Sequence, residues 1–411
     1  MSNSTQNIHP VIDETLKNFF DKSEKKEFLR ILTGETKTEA VIKDAKAEDH
    51  INFEIASGSQ TRYQIDQIIT FAESRYDMEK LIEFFIYLGQ LTITSGENQI
   101  AIEIYERIIN LCDGKRGTAD IIANAFLAIG EIYSRQAHWE MSVTNLDKAI
   151  KIFQEENDIK GSINCQNIFG TIQGDQGNLE RAKEHFENAL IALEGIKDIA
   201  LVGKIEINLA IINNMQSNYN EAISYLKRAL LNFEKLGDLK RISEVKHNLG
   251  MVYTKKKEYP AAISEFDYSI DASVRSNYLQ NIGITYISKA YVYTHLKDFE
   301  LAEAFSNKAM EIAHKVNDKL SIAEVYKVKG IISRNRRQYE LAENSLLTSY
   351  RLNKELSNKL NLAETAQELG ILYKQKRDLE KSNQYFAEAL GYFRKINSVA
   401  DIQELEKLFT N

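Results

Sequence analysis

The chain is poor in the residues that interrupt helices or cross-link a fold. Its 411 residues include only two prolines, Pro10 and Pro260, and two cysteines, Cys112 and Cys165. Because proline interrupts helices and is frequent in turn-rich folds, its scarcity favours long helices. Two cysteines are too few for a disulfide framework, and their spacing matches no zinc site. We therefore expect both thiols to be reduced and buried.

Long apolar runs and an excess of positive charge are also missing. No stretch of about 18 apolar residues predicts a membrane span, and the first ten residues lack the basic and apolar regions of a secretory signal. The net charge is −7 and the isoelectric point is 5.7, whereas domains that bind nucleic acid commonly exceed about 9. These features predict a cytoplasmic protein that does not bind nucleic acid.

The sequence contains no motif typical of catalysis, nucleotide binding or metal binding. The P-loop, GxGxxG, HExxH and GxSxG patterns are all missing. No two of the seven histidines lie three or four residues apart, the spacing that puts two ligands on one helix face. We therefore expect no enzymatic activity, no cofactor and no metal site.

A small residue returns at every fortieth position through most of the chain. The members of this series, called markers below, are Gly130, Gly170, Ala210, Gly250, Ala290, Gly330 and Gly370. A large apolar residue follows most markers by sixteen positions: Leu146, Phe186, Leu226, Phe266, Leu346 and Phe386. A strict period of this length is typical of stacked helical pairs, whose close crossings admit only small side chains.

Each forty-residue block reads as two helices joined by a tight turn. Apolar residues recur at helical spacing in both halves of a block, and loops rich in Gly, Asn and Asp separate the blocks. A further unit, marked by Gly89, precedes the strict series. The pattern therefore predicts eight repeats over residues 81–395.

The repeats resemble the tetratricopeptide family. The resemblance is carried by segments such as Asn248–Tyr253, followed by Ala262, Phe266 and Ser269. The unit is forty residues rather than about 34, as expected if the second helix is about one and a half turns longer. Such long repeats resemble bacterial signalling arrays and eukaryotic adaptors. The resemblance implies an all-α fold, a right-handed α-solenoid of about eight helix pairs with an N-terminal helical segment and a C-terminal capping helix.

Four regions are predicted along the chain. Residues 1–10 are expected to be a disordered tail, 11–80 an N-terminal helical region, 81–395 the solenoid and 396–411 the capping helix. Within the second region we expect helices at 11–31 and 36–47, and a degenerate repeat that includes Tyr63–Arg75. Ser398 and Asp401 have the spacing of a capping box, which predicts the start of the last helix.

The resemblance places polar side chains in a concave groove, which the first helix of each pair lines in this family. The candidate partner-binding residues are Asn164, Asn167, Lys204, Asn208, His247 and Asn248. An asparagine amide both donates and accepts hydrogen bonds, so a column of them suits the backbone of an extended peptide. Ile284 and Ser288 stand where the family's carboxylate clamp has Lys and Arg, so a complete clamp is not expected. The far end of the groove is predicted to be mixed in sign, with Lys327, Arg334 and Lys374 facing Glu324, Glu364 and Glu368.

The sequence is compatible with two functions. The first is a non-enzymatic interaction scaffold that binds a peptide or partner segment in the concave groove. The second is a bacterial signalling regulator whose repeats sense a peptide and control a target protein through the N-terminal helices. Residues 11–48 show no helix-turn-helix motif, which argues against a DNA-binding version. A homo-oligomer is left open.

Overall fold

The described part of the chain is entirely helical. The computed structural model describes residues 8–32, 57–136, 138–316 and 318–410, and these ranges form twenty α-helices and no strand. None of these helices is long and apolar enough to cross a membrane. The predicted all-α solenoid is confirmed.

Three helices precede the repeats, one follows them, and eight pairs lie between. The flanking helices are α1 (Pro10–Phe19), α2 (Lys22–Leu32), α3 (Ser57–Glu73) and α20 (Val399–Thr410). The pairs are α4 (Met78–Thr94) with α5 (Asn98–Cys112), α6 (Ala119–Arg135) with α7 (Trp139–Glu155), α8 (Ile159–Asp175) with α9 (Leu179–Ala192), α10 (Ile199–Met215) with α11 (Tyr219–Leu236), α12 (Leu239–Lys255) with α13 (Tyr259–Arg275), α14 (Leu279–His295) with α15 (Phe299–Lys315), α16 (Lys319–Asn335) with α17 (Tyr339–Glu355), and α18 (Lys359–Gln375) with α19 (Leu379–Lys395).

The prediction of a single helix at 11–31 is wrong, because α1 ends at Phe19 and α2 begins at Lys22. Phe20 is extended (φ −121°, ψ 141°), and its ring lies 5.2 Å from that of Phe71 and 5.4 Å from that of Tyr76. If Phe20 continued the helix, its ring would lose its contacts with these two aromatic rings. The helix expected at 36–47 and most of the tail expected at 1–10 lie outside the described residues.

A capping box restarts the helix after this break. The Asp21 carboxylate accepts a hydrogen bond from the backbone N–H of Glu24 at 2.8 Å, and the Glu24 carboxylate accepts one from Asp21 N–H at 2.9 Å. These reciprocal bonds satisfy backbone donors that the first turn of a helix leaves without partners. The Asp-x-x-Glu spacing at Asp21 and Glu24 is a sequence signal of this helix start that the prediction of one helix at 11–31 overlooked.

The loops between pairs both end one helix and begin the next. A residue in the left-handed conformation closes several second helices, as Asn157 (φ 58°) and Gly237 (φ 65°) show. The residue after it caps the following first helix: the carboxylates of Asp158 and Asp238 each accept a backbone N–H three residues later, at 3.0 Å. Because this pair of signals recurs, each block ends and the next begins at the same point of the forty-residue period.

The markers lie directly against the large residues sixteen positions later. A Cβ added to Gly170 would lie 2.6 Å from Cε1 of Phe186, and one added to Gly330 would lie 2.6 Å from Cγ of Leu346. No side chain tolerates such contacts without a shift of its neighbour. The glycines therefore let the two helices of a pair approach closely enough for the large side chain to be fully buried.

The chain divides into two compact units. The first contains the described residues up to Ile132 together with Thr144–Glu156, and the second contains Tyr133–Val143 and the chain from Asn157 onward. In the second unit, each first helix from α8 to α16 packs against the first helix of the next pair as well as against its own partner. The first helices thus form the inner layer of this unit. Both cysteines, Cys112 and Cys165, are reduced and buried, as predicted.

Candidate functional site

The inner layer of the second unit carries all six residues that the sequence nominated. Asn164 and Asn167 lie on α8, Lys204 and Asn208 on α10, and His247 and Asn248 on α12. Each is partly exposed, in contrast to the buried apolar residues that alternate with them along the same helices. The structure thus places the six side chains on three neighbouring helices.

Two of the asparagines form a bridge between adjacent repeats. The side-chain amide of Asn208 donates to the side-chain oxygen of Asn167 at 2.9 Å. This bond uses one of the four hydrogen-bonding positions on each amide, a donor of Asn208 and a lone pair of Asn167. The pair, called the amide bridge below, therefore has capacity for further bonds to a ligand backbone.

Asn248 and His247 bond within the protein instead. The Asn248 amide donates to the carbonyl of Glu244, one turn earlier, at 3.0 Å. His247 Nδ1 lies 3.1 Å from the Thr285 hydroxyl, and its ring centroid lies 5.6 Å from that of Phe266. The structure therefore gives His247 a role in holding α12 against the next repeat.

Burial at this position has a consequence for stability at low pH. It lowers the pKa of His247 to about 4 from the ordinary value of 6.5. As the pH falls, the unfolded chain binds this proton first, so the stabilising contribution of neutral His247 is complete above pH 6.5 and is lost between 6.5 and 4. We expect a loss of about 2 kcal/mol, which is less than the full shift implies because the ring is partly exposed.

Urea denaturation at pH 7 and pH 4.5 measures this loss. The variant His247→Gln should lose less stability than the parent between these two values, because it has no proton to bind at this site. The exposed His138 supplies a control, and His138→Gln should keep the parent's pH dependence. Equal pH dependence in parent and His247→Gln would contradict the assignment.

Charged side chains form a buried network on the later first helices. Lys327 Nζ on α16 lies 2.8 Å from a carboxylate oxygen of Glu324 and 2.6 Å from one of Glu364 on α18. Arg334 lies 2.5 Å from Glu368. The predicted mixed-sign region therefore consists of ion pairs between neighbouring repeats.

Lys374, which the sequence grouped with these residues, bonds elsewhere: its ammonium donates to the carbonyl of Leu408 on α20. The C-terminal helix therefore meets the inner layer as well as the end of the stack. This contact is in addition to the capping role predicted for that helix.

Lys255 connects the network to a distant helix. Its ammonium lies 3.5 Å from Glu364 on α18 and 3.2 Å from Asp401 on α20. Burial alone would lower the pKa of Lys255, but the attraction of these two carboxylates raises it above its ordinary value. Ion pairs therefore join α12 to α18 and α20.

No pattern in the sequence predicted the contact between Lys255 and Asp401. Lys255 and Asp401 are 146 residues apart, and the forty-residue pattern relates each repeat only to its neighbours. Capping-box spacing identified Asp401 as part of a helix start, which the bond from the Ser398 hydroxyl to the Asp401 carboxylate confirms at 2.5 Å.

The two carboxylates beside Lys327 respond differently to their surroundings. Burial raises the pKa of Glu324, whereas Lys327 and Lys255 overcome the effect of burial and lower that of Glu364. Within the described ranges, no group of three His, Cys, Asp or Glu side chains is placed to hold a metal ion.

Comparison with protein families supports the repeat assignment. Models described as tetratricopeptide repeat match residues 201–272 and 284–315. A model of the soluble NSF attachment protein family, SNAP, matches residues 67–232. No curated protein sequence matches the chain significantly.

Several solved structures share the fold at low sequence identity. A Rap protein complexed with Competence and Sporulation Factor is 13% identical, with a TM-score of 0.56, covering 82% of this chain and 98% of that one. NprR in complex with its cognate peptide NprX is 16% identical, with a TM-score of 0.53 and coverages of 71% and 83%. A STAND protein with a tetratricopeptide repeat sensor from Pyrococcus horikoshii is also 16% identical, with a TM-score of 0.50 and coverages of 98% and 57%.

Proposed function

We propose that this chain, a tetratricopeptide-repeat protein, is a non-enzymatic interaction scaffold that binds a peptide or partner segment along the inner layer of its second unit. The amide bridge between Asn167 and Asn208 is the observation that carries the proposal, because it presents paired amides along neighbouring first helices. The complexes of similar fold, NprR with its peptide and Rap with Competence and Sporulation Factor, support a peptide-sized ligand.

The mechanism is recognition by prepositioned polar groups. Asparagine amides bond the N–H and C=O groups of an extended backbone, so they hold a peptide without reading each side chain. The amide bridge already fixes the position of two of them, which reduces the entropy lost when a ligand is ordered. Lys204 and Asn164 lie about one turn before the bridging asparagines on the same two helices and extend the polar surface toward the N-terminal ends of α8 and α10.

Replacement of the ligand-facing amides tests the proposal. In Asn167→Ala/Asn208→Ala, the loss of two or more hydrogen bonds at about 0.5–1.5 kcal/mol each should weaken binding roughly tenfold or more. A displayed library of random dodecapeptides, selected on the parent protein, supplies the probe, and calorimetry measures the affinity. The matched control is Asn307→Ala, an exposed asparagine on the second helix α15. Unchanged affinity in the folded double variant would contradict binding of the peptide along the inner layer.

A signalling regulator acting through the N-terminal helices is the second candidate. The observation in its favour is that α2 buries one residue, Phe28, and carries an exposed ion pair between Glu27 and Arg75. A helix held by so little apolar contact is suited to exchange one partner for another. Hydrogen exchange of α2 should change when the selected peptide is added, and unchanged exchange would favour a static scaffold.

A further inference from the structure

The two ends of the second unit touch each other. Lys395, in the last turn of α19, donates to the carbonyl of Gln176, in the turn after α8, at 2.9 Å. A Cβ added to Gly177 would lie 3.3 Å from Ile396 Cγ2 and 3.3 Å from the Tyr392 ring. The turn of the α8–α9 pair therefore lies against the segment that links α19 to α20, and the second unit closes on itself.

The start of α20 adds polar contacts to this closure. The Ser217 hydroxyl, in the turn after α10, accepts a hydrogen bond from Ala400 N–H at 3.3 Å and lies 3.5 Å from the Ser398 hydroxyl. Asp401 then reaches Lys255 on α12. We call the contact between these two sets of residues the rim latch; one side is Gln176, Gly177, Ser217 and Lys255, and the other is Tyr392, Lys395, Ser398, Ala400 and Asp401.

The other face of α20 belongs to its own end of the stack. Leu405 is fully buried in an apolar cluster that contains residues of α18 and α19 and also of α8, α9 and α10, and the Phe409 ring lies 5.3 Å from that of Phe386. This apolar face caps the last pair. The contact between Phe386 and Phe409 joins α20 to α19 alone, so α20 can remain attached to α19 when the rims separate.

The polar contacts of the rim latch are weaker than the contacts within a helix pair, and buried Ile396 adds an apolar contact between the rims. The ion pair of the latch leaves about a third of the Lys255 side chain exposed, and partly exposed ion pairs contribute about 0–1 kcal/mol. A cleft of about 350 Å³ remains between the rims, lined in part by Arg181, Gln216 and Asn397. Each helix pair, by contrast, buries a whole large side chain such as Phe186.

Opening would expose a cation beside the candidate ligand surface. Glu364 and Asp401 both lie on the α18–α20 side, so separation of the rims removes both carboxylates from Lys255. Glu364 would keep Lys327 as its partner, whereas Lys255 would lose both carboxylates that the closed unit supplies. Lys255 lies on α12, the helix that carries Asn248.

We propose that the rim latch is a reversible gate of the inner surface and that the ligand is an acidic peptide, one of whose carboxylates takes the place of Asp401 at Lys255. The inference rests on the proposed function, because it assumes that the inner layer binds a peptide. It adds the chemistry of that peptide and the conformational step that admits it. Peptide binding and latch opening are then linked equilibria, so that each favours the other.

A disulfide across the latch tests the gate. The 3.5 Å between the Ser217 and Ser398 hydroxyls suits Ser217→Cys/Ser398→Cys, since small rotations bring two sulfurs to a bond of about 2.05 Å. The probe is a synthetic decapeptide pool with Asp or Glu at every second position, and the control pool has Asn or Gln there. The reduced form should bind the acidic pool at least tenfold more tightly than the oxidised form. Equal affinity of the two forms, or equal affinity for the two pools, would overturn the proposal.

A distance measurement separates failure of the gate from failure of the proposed function. Spin labels at the exposed positions Glu184 on α9 and Gln384 on α19 report the separation of the rims without any ligand. We expect Lys255→Met and Asp401→Asn each to shift the distribution toward longer distances. An unchanged distribution in both variants overturns the gate even if peptides bind. If neither pool binds any form, the proposed function is wrong, and a shifted distribution then shows a latch that opens for another purpose.

Discussion

Lys327→Met should lower the free energy of unfolding at pH 7 by about 3–5 kcal/mol. The Lys327 side chain is 5% exposed and is the shared cation of Glu324 and Glu364. Its removal leaves two carboxylates close together in a region where burial already raises the pKa of Glu324. Methionine preserves the length of the side chain, so the loss reports charge rather than a cavity.

The pH dependence of this loss identifies its cause. Without Lys327, the pKa of Glu324 in the folded protein should lie further above that in the unfolded chain, whereas Glu364 keeps Lys255 as a partner. Protonation then favours folding, so the deficit should shrink as the pH falls from 7 to 5. The added change Glu364→Gln should restore part of the stability at pH 7. Lys354→Met, at an exposed position of α17, should change stability by no more than about 0.5 kcal/mol. A deficit that does not vary with pH would contradict the electrostatic explanation.

Phe186→Ala should cost about 3–5 kcal/mol, because it empties the contact between α8 and α9. Phe186 is 1% exposed and packs directly over Gly170. Urea denaturation measures the loss, and Ile191→Ala on the same helix is the control, since Ile191 is 63% exposed. A similar loss in both variants would contradict the assignment of Phe186 to the interface.

The marker glycine gives this experiment a second arm. Gly170→Ala alone should cost about 1–3 kcal/mol, because the new methyl group collides with the Phe186 ring. In the Phe186→Ala background the same change should be neutral or stabilising by up to about 1 kcal/mol, because alanine favours helix over glycine. Additive losses would show that the glycine is present for another reason.

The sequence predicted the contacts that form within a helix pair or between neighbouring repeats. The markers and the large residues sixteen positions later identified the contacts within each pair, and Gly170 with Phe186 shows that contact directly. The pairing of Lys327 with Glu364 also follows from the period, because the two residues lie on successive first helices. Such local contacts repeat, so a periodic sequence carries their signal.

The features that the sequence did not predict depend on contacts that do not recur every forty residues. The break at Phe20 is set by the aromatic contacts of one side chain with Phe71 and Tyr76, which no helical pattern reports. The meeting of Lys255 with Asp401 depends on small rotations accumulated over four helix pairs. Neither the position of a residue relative to a marker nor its charge specifies which distant residue it meets when the stack of helix pairs curves back on itself.

The proposed peptide site runs along the inner layer of first helices. Photo-crosslinking tests it most directly, with a benzophenone amino acid placed at Ile211 on α10, three residues after Asn208. Ile211 is 38% exposed, and its spacing puts it on the face of α10 that carries Asn208. The control places the same group at Asn307 on α15. We predict that the selected peptide crosslinks to position 211 and not to 307, as detected by mass spectrometry. Crosslinking at 307, with none at 211, would contradict the account.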